Sequence, residues 1–256
     1  MSGDGQLHFS SLPGGVRVLT IDRPQRRNAL TPALLDALAT ALAPDPAVQA
    51  LLVEAVGPSF CAGYDLGHLG ADAEADRFPD ARIQEVLALL EANPAPSVAV
   101  IQGPAFGAGC ELACACDFRL GTPEATLCMP PVRLGVVYAP EGVWRVARLT
   151  GLQRARELFL TARELGAAEA QAWGLLDRVH PDAAGQARAL AAELAAGAPL
   201  AMSGLRRTLQ LLGRLPLDAR ARAELEALRR KAFASADARE ARAALREKRP
   251  PRWQGR

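Results

Sequence analysis

"SVAVIQGPAFGAGCELACACD", residues 97–117, opens as an apolar run and closes in a helical pattern, with glycines at 103, 107 and 109 between them. "SVAVIQG" (97–103) has the length and apolar content of a buried strand ending in glycine. Gly107-Ala108-Gly109 reads as a tight turn, and "AGCELACA" starts a helix. First-turn N–H groups of a helix have no internal partner, and the helix dipole favours negative charge there. Ala108 therefore offers a backbone donor to an oxyanion. Glu111 lies three residues on and shares its face, so its carboxylate is a candidate proton shuttle. The bland alternative is that the glycines only permit the turn and Glu111 caps or pairs. This stretch alone leaves both open.

The flanking sequence sets the class. "QLHFSSLPGGVRVLTID" (6–22) is two short alternating segments around Pro13-Gly14-Gly15, a hairpin signal. "TPALLDALATALA" (31–43) reads as a helix capped by Thr31, with Pro32 in the first turn and Leu34, Leu35 and Leu38 on one face. "ALLVEAV" (50–56) is strand-like, and a helix follows at 81–92. Strand, helix, strand, helix, strand implies α/β with largely parallel strands, whose ligands bind beyond the strands' carboxyl ends. The loops 57–69 and 103–109 begin at those ends. Within the first, "SFCAGYDLGHL" (59–69) is too short for a packed element and too apolar for a surface loop. Its small residues beside Gly63 suit a backbone N–H aimed at a ligand. Residues 70–80 read as polar and irregular.

Beyond residue 181 the strand signals stop. Ala, Leu, Arg and Glu dominate 182–247, with breaks near Pro199, Pro216 and Ser235. The division expected is an α/β core over 1–181 and a helical region over 182–256, acting as a lid or an oligomerisation element.

Composition narrows the function. Half of the 256 residues are apolar and 23% charged, with 30 basic against 28 acidic residues, so no global charge calls for nucleic acid. No apolar run approaches the ~20 residues that span a bilayer, and "MSGDGQLHFSS" lacks the regions of a signal peptide. Five cysteines show neither a C-x-x-C pair nor zinc-like spacing. Cys110, Cys114 and Cys116 read as small buried hydrophobes. The expectation is a reduced, cytoplasmic, metal-free protein. A phosphate-loop signature is absent, and the dinucleotide pattern fails at Leu112. G-x-S-x-G is absent too, which disfavours serine hydrolysis. A Cys61–His68 pair is a remote option.

Several motifs, taken together, resemble the enoyl-CoA hydratase/isomerase (crotonase) superfamily. They are "RPQRRNAL" (23–30), "FCAGYDL" (60–66), "GPAFGAGCEL" (103–112), "LTGLQRARELFLTARELGAAEAQAWGLLDRV" (149–179) and "FASADAREARAALREKRPPRW" (233–253). They run in order along nearly the whole chain. The resemblance implies an α/β spiral of ββα units with a C-terminal helical trimerisation region, assembled as a homotrimer or homohexamer. It also implies an acyl-CoA substrate, with coenzyme A as part of that substrate and no separate cofactor. The oxyanion hole would be the N–H groups of Ala62 and Ala108. Phe60 and Ala62 would line the coenzyme A site. Arg26 and Arg27 match the family's basic loop, while Lys248 and Arg249 match a terminal segment near the nucleotide. For each of these basic residues a solvated surface is the competing reading.

Reaction type is where the chain departs from the pattern. Hydratases of the resembled type hold a water between two glutamates, one at Glu111 and one in a following "PE" segment. Here that segment is "MPPVRLG" (129–135), and Pro131 occupies the second position. Glu124, Glu141 and Tyr138 are the nearby polar candidates. Glu141, at a helix start, reads first as a dipole-compensating surface acid, and Asp65 and Asp117 read as caps or turn acids. The resulting expectation is an enoyl-CoA hydratase or isomerase that stabilises a thioester enolate. The alternatives are an acyl-CoA decarboxylase or lyase using one glutamate, or an inactive homologue that binds coenzyme A or RNA.

Overall fold

The computed structural model describes residues 5–68, 78, 80–212, 219–249 and 251–252. The hairpin forms as read: β1 (Gln6–Leu12) and β2 (Val16–Asp22) pair antiparallel, with Leu12 opposite Val16. From β2 onward the pairs are parallel. The strands β3 (Ala50–Ala55), β4 (Ser97–Ile101), β6 (Phe118–Gly121) and β9 (Arg178–Val179) extend a six-stranded sheet in the order β1-β2-β3-β4-β6-β9. Every residue of β4 is buried, which is why its sequence is continuously apolar rather than alternating.

The two faces of the sheet have different covers. Leu19, Ile21, Leu51, Val53, Ala99 and Ile101 pack against α1 (Pro32–Ala41), α2 (Ala81–Ala92) and α3 (Ala108–Ala115). Thr31 caps α1 as expected, its Oγ1 accepting from Leu34 N at 3.2 Å. The opposite face, with Val18, Leu52, Val98 and Leu120, is covered by Ala183, Ala187, Leu190 and Ala191 of α8 (Ala183–Ala195). These small side chains at helical spacing let α8 lie close on the strands. The boundary expected at 181 therefore cuts through the core. The helices that leave the sheet are α9 (Pro199–Leu212), α10 (Ala219–Ala234) and α11 (Ala236–Glu247).

The breaks at Pro199 and Ser235 appear as helix starts, with Ser235 Oγ accepting from Ala238 N at 2.9 Å. Pro216 lies outside the described residues, as do most of 70–80. Buried Arg206 anchors α9, reaching Asp117 Oδ2 at 2.7 Å and the carbonyls of Leu90 and Glu91. Asp117 also accepts from the N–H and hydroxyl of Ser97 at 2.8 and 3.0 Å, so it is structural. No helix among the described residues is long and apolar enough to cross a membrane.

A second, three-stranded sheet of β5 (Pro104–Phe106), β7 (Thr126–Cys128) and β8 (Leu165–Gly166) stands beside the first. The strand reading over 97–103 missed that the chain bends at Gly103 and starts again. A three-residue strand opening on proline carries no periodic signal.

One buried amide joins the loops at the sheet's carboxyl end. Asn28 is fully buried, with φ +55°. Its Nδ2 donates to the carbonyls of Val56 and Ser59 at 2.8 and 2.7 Å, and its Oδ1 accepts from Arg23 N at 2.8 Å. Each buried group left without its partner costs about 1–3 kcal/mol. Asn28→Ala removes the partner of the Arg23 N–H, while Ser59 O keeps Gln102 Nε2 at 3.0 Å and Val56 is exposed, so it is expected to lower unfolding stability by roughly 1–3 kcal/mol. The midpoint and slope of a urea titration check it.

Candidate active site

A cavity of about 340 Å³ opens where the two expected loops meet. Its walls come from Ala62–Tyr64 and Leu66, the start of α2, the turn 106–108 with Glu111, the segment 130–138, and α11 with the residues after it.

The backbone of residues 60–65 is bonded on both edges. On one side Cys61 N donates to Pro104 O at 3.1 Å and Phe106 N to Cys61 O at 2.9 Å. On the other, Leu30 N donates to Gly63 O and Asp65 N to Leu30 O, both at 2.8 Å. In a parallel bridge of this kind the central residue, Tyr64, turns its own N–H away from Leu30. That is the side of β5 and the start of α3. The Ala62 N–H faces the other way and donates to Arg27 O at 2.9 Å. Ala62 therefore lines the cavity without being the oxyanion donor expected of it. Gly63, with a φ of +100°, makes the turn into Tyr64. Strict period-two alternation from Cys61 marks residue 63 rather than 64, and the positive φ of Gly63 breaks it.

The second expected donor fits. Ala108 is the first residue of α3, and among the described residues no acceptor meets its N–H. A Cβ on Gly63 would stand 3.5 Å from Ala108 N, so the two loops touch here. Gly109 closes the contact, because a Cβ there would collide with the Cys61 carbonyl. Gly63, Tyr64 and Ala108 thus come together on one wall of the cavity.

Glu111 lies on the same wall, 3% exposed. Its Oε2 accepts from Gln84 Nε2 at 2.9 Å and faces Arg145 Nη1 at 3.5 Å. Buried Arg145 also grips both oxygens of Glu91 at 3.0 Å and meets Gln84 Oε1 at 2.5 Å. Gly142 leaves the space for this carboxylate, since a Cβ there would collide with Glu111 Oε2. Neither Gln84 nor Arg145 was singled out from sequence. Both sit on amphipathic helices, where a buried polar residue looks like any surface one.

Tyr138 reaches the cavity, its hydroxyl against Gly107. Burial first, and then the charges of Glu111 and Asp80, push its phenol well above the ordinary range, so it stays a proton-bearing donor. Asp80, from the end of the expected irregular stretch, lines the cavity as well. Pro131 is buried at the first position of α4 (Pro131–Leu134), while its neighbour Pro130 lines the cavity. Glu141 is not a second acid here. It pairs with Arg222 at 2.6 Å on the flank of α5 (Pro140–Thr150). Burial alone would raise its carboxyl, but Arg222 holds it below the usual range.

Other expectations resolve as follows. Phe60 is 0% exposed and packed in the core, so it cannot line a coenzyme A site. Cys61 is buried, and burial pushes its thiol up to about 12, which removes the Cys61–His68 nucleophile. Asp65 accepts from Gly67 N at 2.9 Å and pairs with Arg23 at 2.6 Å, a turn acid as read. Arg26 and Arg27 are exposed on the loop whose carbonyl holds Ala62. Lys248 is exposed at the α11 C-cap; its neighbour Arg249 lines the cavity and pairs with Glu240. Arg133 and Arg242 line the same mouth. Burial and the like charges of Arg239 and Arg246 lower the affinity of Arg242 for its proton, as for a cation short of counter-charge. No group of three or more metal-ligating side chains is present among the described residues.

Residues 11–256 match the family model described as enoyl-CoA hydratase/isomerase. The chain is 39% identical over 242 residues to the probable enoyl-CoA hydratase echA6 of Mycobacterium tuberculosis, covering 93% of this chain and 96% of that one. It is 36% identical over 203 residues to the enoyl-CoA isomerase/hydratase fer4 of Mycosarcoma maydis, covering 73% and 74%. Among solved structures, a methylmalonyl CoA decarboxylase complexed with 2S-carboxypropyl CoA superposes with a TM-score of 0.90, at 25% identity and 98% coverage of both chains. An enoyl-CoA hydratase/isomerase from Pseudoalteromonas atlantica gives 0.82 at 28% identity, covering 97% and 99%.

Gly142→Ala should push the Glu111 carboxylate off its Gln84 contact. Misplacing a reacting group by ~1 Å can cost about 10²-fold in rate. A fall in turnover of that order, together with a lowered melting temperature as the buried Glu111 pairing is strained, is the expected result of steady-state assay and thermal melt.

Proposed function

From a chain that belongs to the enoyl-CoA hydratase/isomerase family, we infer an acyl-CoA enzyme that holds its substrate's thioester oxygen between the N–H groups of Tyr64 and Ala108. Donors aimed at developing negative charge in a water-poor site are worth far more than in water. Both belong to backbone that is bonded in place, so they need no reorganisation as the charge forms. Glu111, beside them, takes the proton from the carbon next to the carbonyl.

The reaction favoured is double-bond isomerisation, 3-enoyl-CoA to 2-enoyl-CoA. The observation that carries it is the proline at 131, buried behind Pro130 where a hydratase of the resembled type would present its second glutamate. Glu111 removes the α proton, and the C–H electron pair forms the enolate whose oxygen the two donors hold. Conjugation carries that charge to the γ carbon, which accepts a proton as the double bond moves to the α,β position. No water is consumed. A second reading is decarboxylation of a malonyl-type thioester, favoured by the 0.90 superposition on a methylmalonyl CoA decarboxylase. Loss of carbon dioxide delivers the same enolate to the same donors without a base.

The basic mouth suits coenzyme A phosphates: Arg133, Arg242 and Arg249 in the cavity wall, with Arg26, Arg27 and Lys248 on the adjoining surface. Assembly as a trimer or hexamer in the cytoplasm remains part of the proposal. Support comes from α9, whose Leu200, Leu205 and Leu209 are 90%, 65% and 68% exposed.

Three substrates separate the readings. An isomerase raises the conjugated-thioester absorbance with 3-hexenoyl-CoA faster than it hydrates crotonyl-CoA or releases carbon dioxide from methylmalonyl-CoA. General acid–base groups contribute about 10²–10⁴-fold. Glu111→Gln is expected to lower isomerisation by that range with acyl-CoA affinity retained, whereas decarboxylation would survive the change. Hydration as the fastest of the three reactions would sink the isomerase assignment.

A further inference from the structure

We propose that Phe233, braced by Phe78, closes the acyl end of this cavity and limits the site to short acyl chains. This rests on the acyl-CoA reading above, whichever reaction follows.

The helix α11 gives the cavity two different ends. Arg242 and Leu245 of that helix line it, as does Arg249 just beyond. Phe233, at the close of α10 and immediately before the Ser235 cap of α11, lines it too. A helix rises 1.5 Å per residue, so the twelve residues of α11 set its ends about 18 Å apart. The cations Arg242 and Arg249 belong to its second half and its end, and the Phe233 ring stands at its start. A ligand with phosphates at one end and hydrocarbon at the other fits this cavity in one direction, with its acyl chain toward Phe233.

The packing of α2 agrees. Gln84, which donates to Glu111 Oε2 at 2.9 Å, follows Ile83, a buried residue of the cavity wall. Phe78 stands just before this helix and meets Phe233, ring centroids 5.9 Å apart and planes tilted by 57°. The aromatic pair therefore joins α10 to the start of the helix that holds the Glu111 carboxylate. Leu66, Ile83 and Phe233 make the lining there apolar, apart from the Asp80 carboxyl.

The pair is also braced from α10. Arg230, one turn before Phe233, lies over the Phe78 ring with Cζ 5.0 Å from its centroid. A guanidinium over an aromatic face is attractive, and tilted ring pairs hold together beyond the area they bury. Phe78 is thus gripped from α10 at two points, and the two rings act as a wall. Each methylene moved from water onto apolar lining raises affinity by roughly fourfold. That gain ends where the chain meets the wall.

Saturated acyl-CoAs bind without turnover, so titration calorimetry of the full chain reads the wall independently of the reaction. Wild-type affinity should rise from free coenzyme A through butyryl-CoA to hexanoyl-CoA, then level off through decanoyl- and lauroyl-CoA. Phe233→Ala should raise the decanoyl-to-butyryl affinity ratio by on the order of tenfold, with butyryl-CoA bound within a few-fold of wild type. Phe78→Ala should move the ratio the same way, and Phe233→Trp should lower it. Variants that weaken every chain length together, or leave the ratio unchanged, overturn the proposal. So does a wild-type affinity that climbs steadily through lauroyl-CoA. If the wild type binds none of these thioesters more tightly than free coenzyme A, the acyl-CoA reading itself fails, and the proposal with it.

Discussion

A single extended stretch, residues 60–65, is bonded along both edges, and the chemistry of the site depends on that constraint. Cys61 is fixed to β5, and Gly63 and Asp65 are fixed to Leu30. Between these anchors the Ala62 N–H turns outward to Arg27 O, and Gly63, with φ +100°, breaks the alternation so that the Tyr64 N–H faces away from Leu30. The approach to α3 depends on the absence of a side chain at Gly109. The apolar, small-residue character of "FCAG" follows from the same cause. Phe60 and Cys61 are core, each 0% exposed, and only the next three residues reach the cavity.

A second constraint is the cost of burying charge. Glu111 and Arg145 are each 3% exposed, and an isolated ion at that depth would be strongly disfavoured. The arrangement meets this by pairing: Arg145 bridges Glu91 and Glu111, and the Gln84 amide accepts from Arg145 and donates to Glu111. Breaking such a pair by removing one partner typically costs about 3–5 kcal/mol, because the other charge is stranded. The same pairing holds the Glu111 carboxylate in place, so its stability and its aim depend on one network.

Much of this was legible in the sequence, unevenly. The hairpin, α1 and β4 followed from period and turn chemistry, and Ala108 with Glu111 from helix-terminus physics. All of these are local. The Ala62 N–H, expected as the donor on the first loop, is taken by Arg27 O, a pairing that depends on how the stretch is bonded to its neighbours. Phe60 was misread for a related reason: an apolar residue in a loop looks like a ligand wall until its packing is known. The division at 181 failed because α8 is alanine-rich like the helices after it, yet packs on the sheet. Gln84, Arg145 and Asp80 were invisible as site residues. Their roles are set by three helices meeting around Glu111, a property of no single segment.

Pro131 has a physical consequence of its own. Proline at the first position of α4 suits the helix start, where its missing N–H is not needed. Pro130 presents an apolar ring to the cavity, and Arg133, from the same segment, a charge. The acids and the phenol of the wall, Glu111, Tyr138 and Asp80, come from α3, from the segment before α5 and from the start of α2. The cavity is thus assembled from several separate elements, so its lining cannot be read from any one of them.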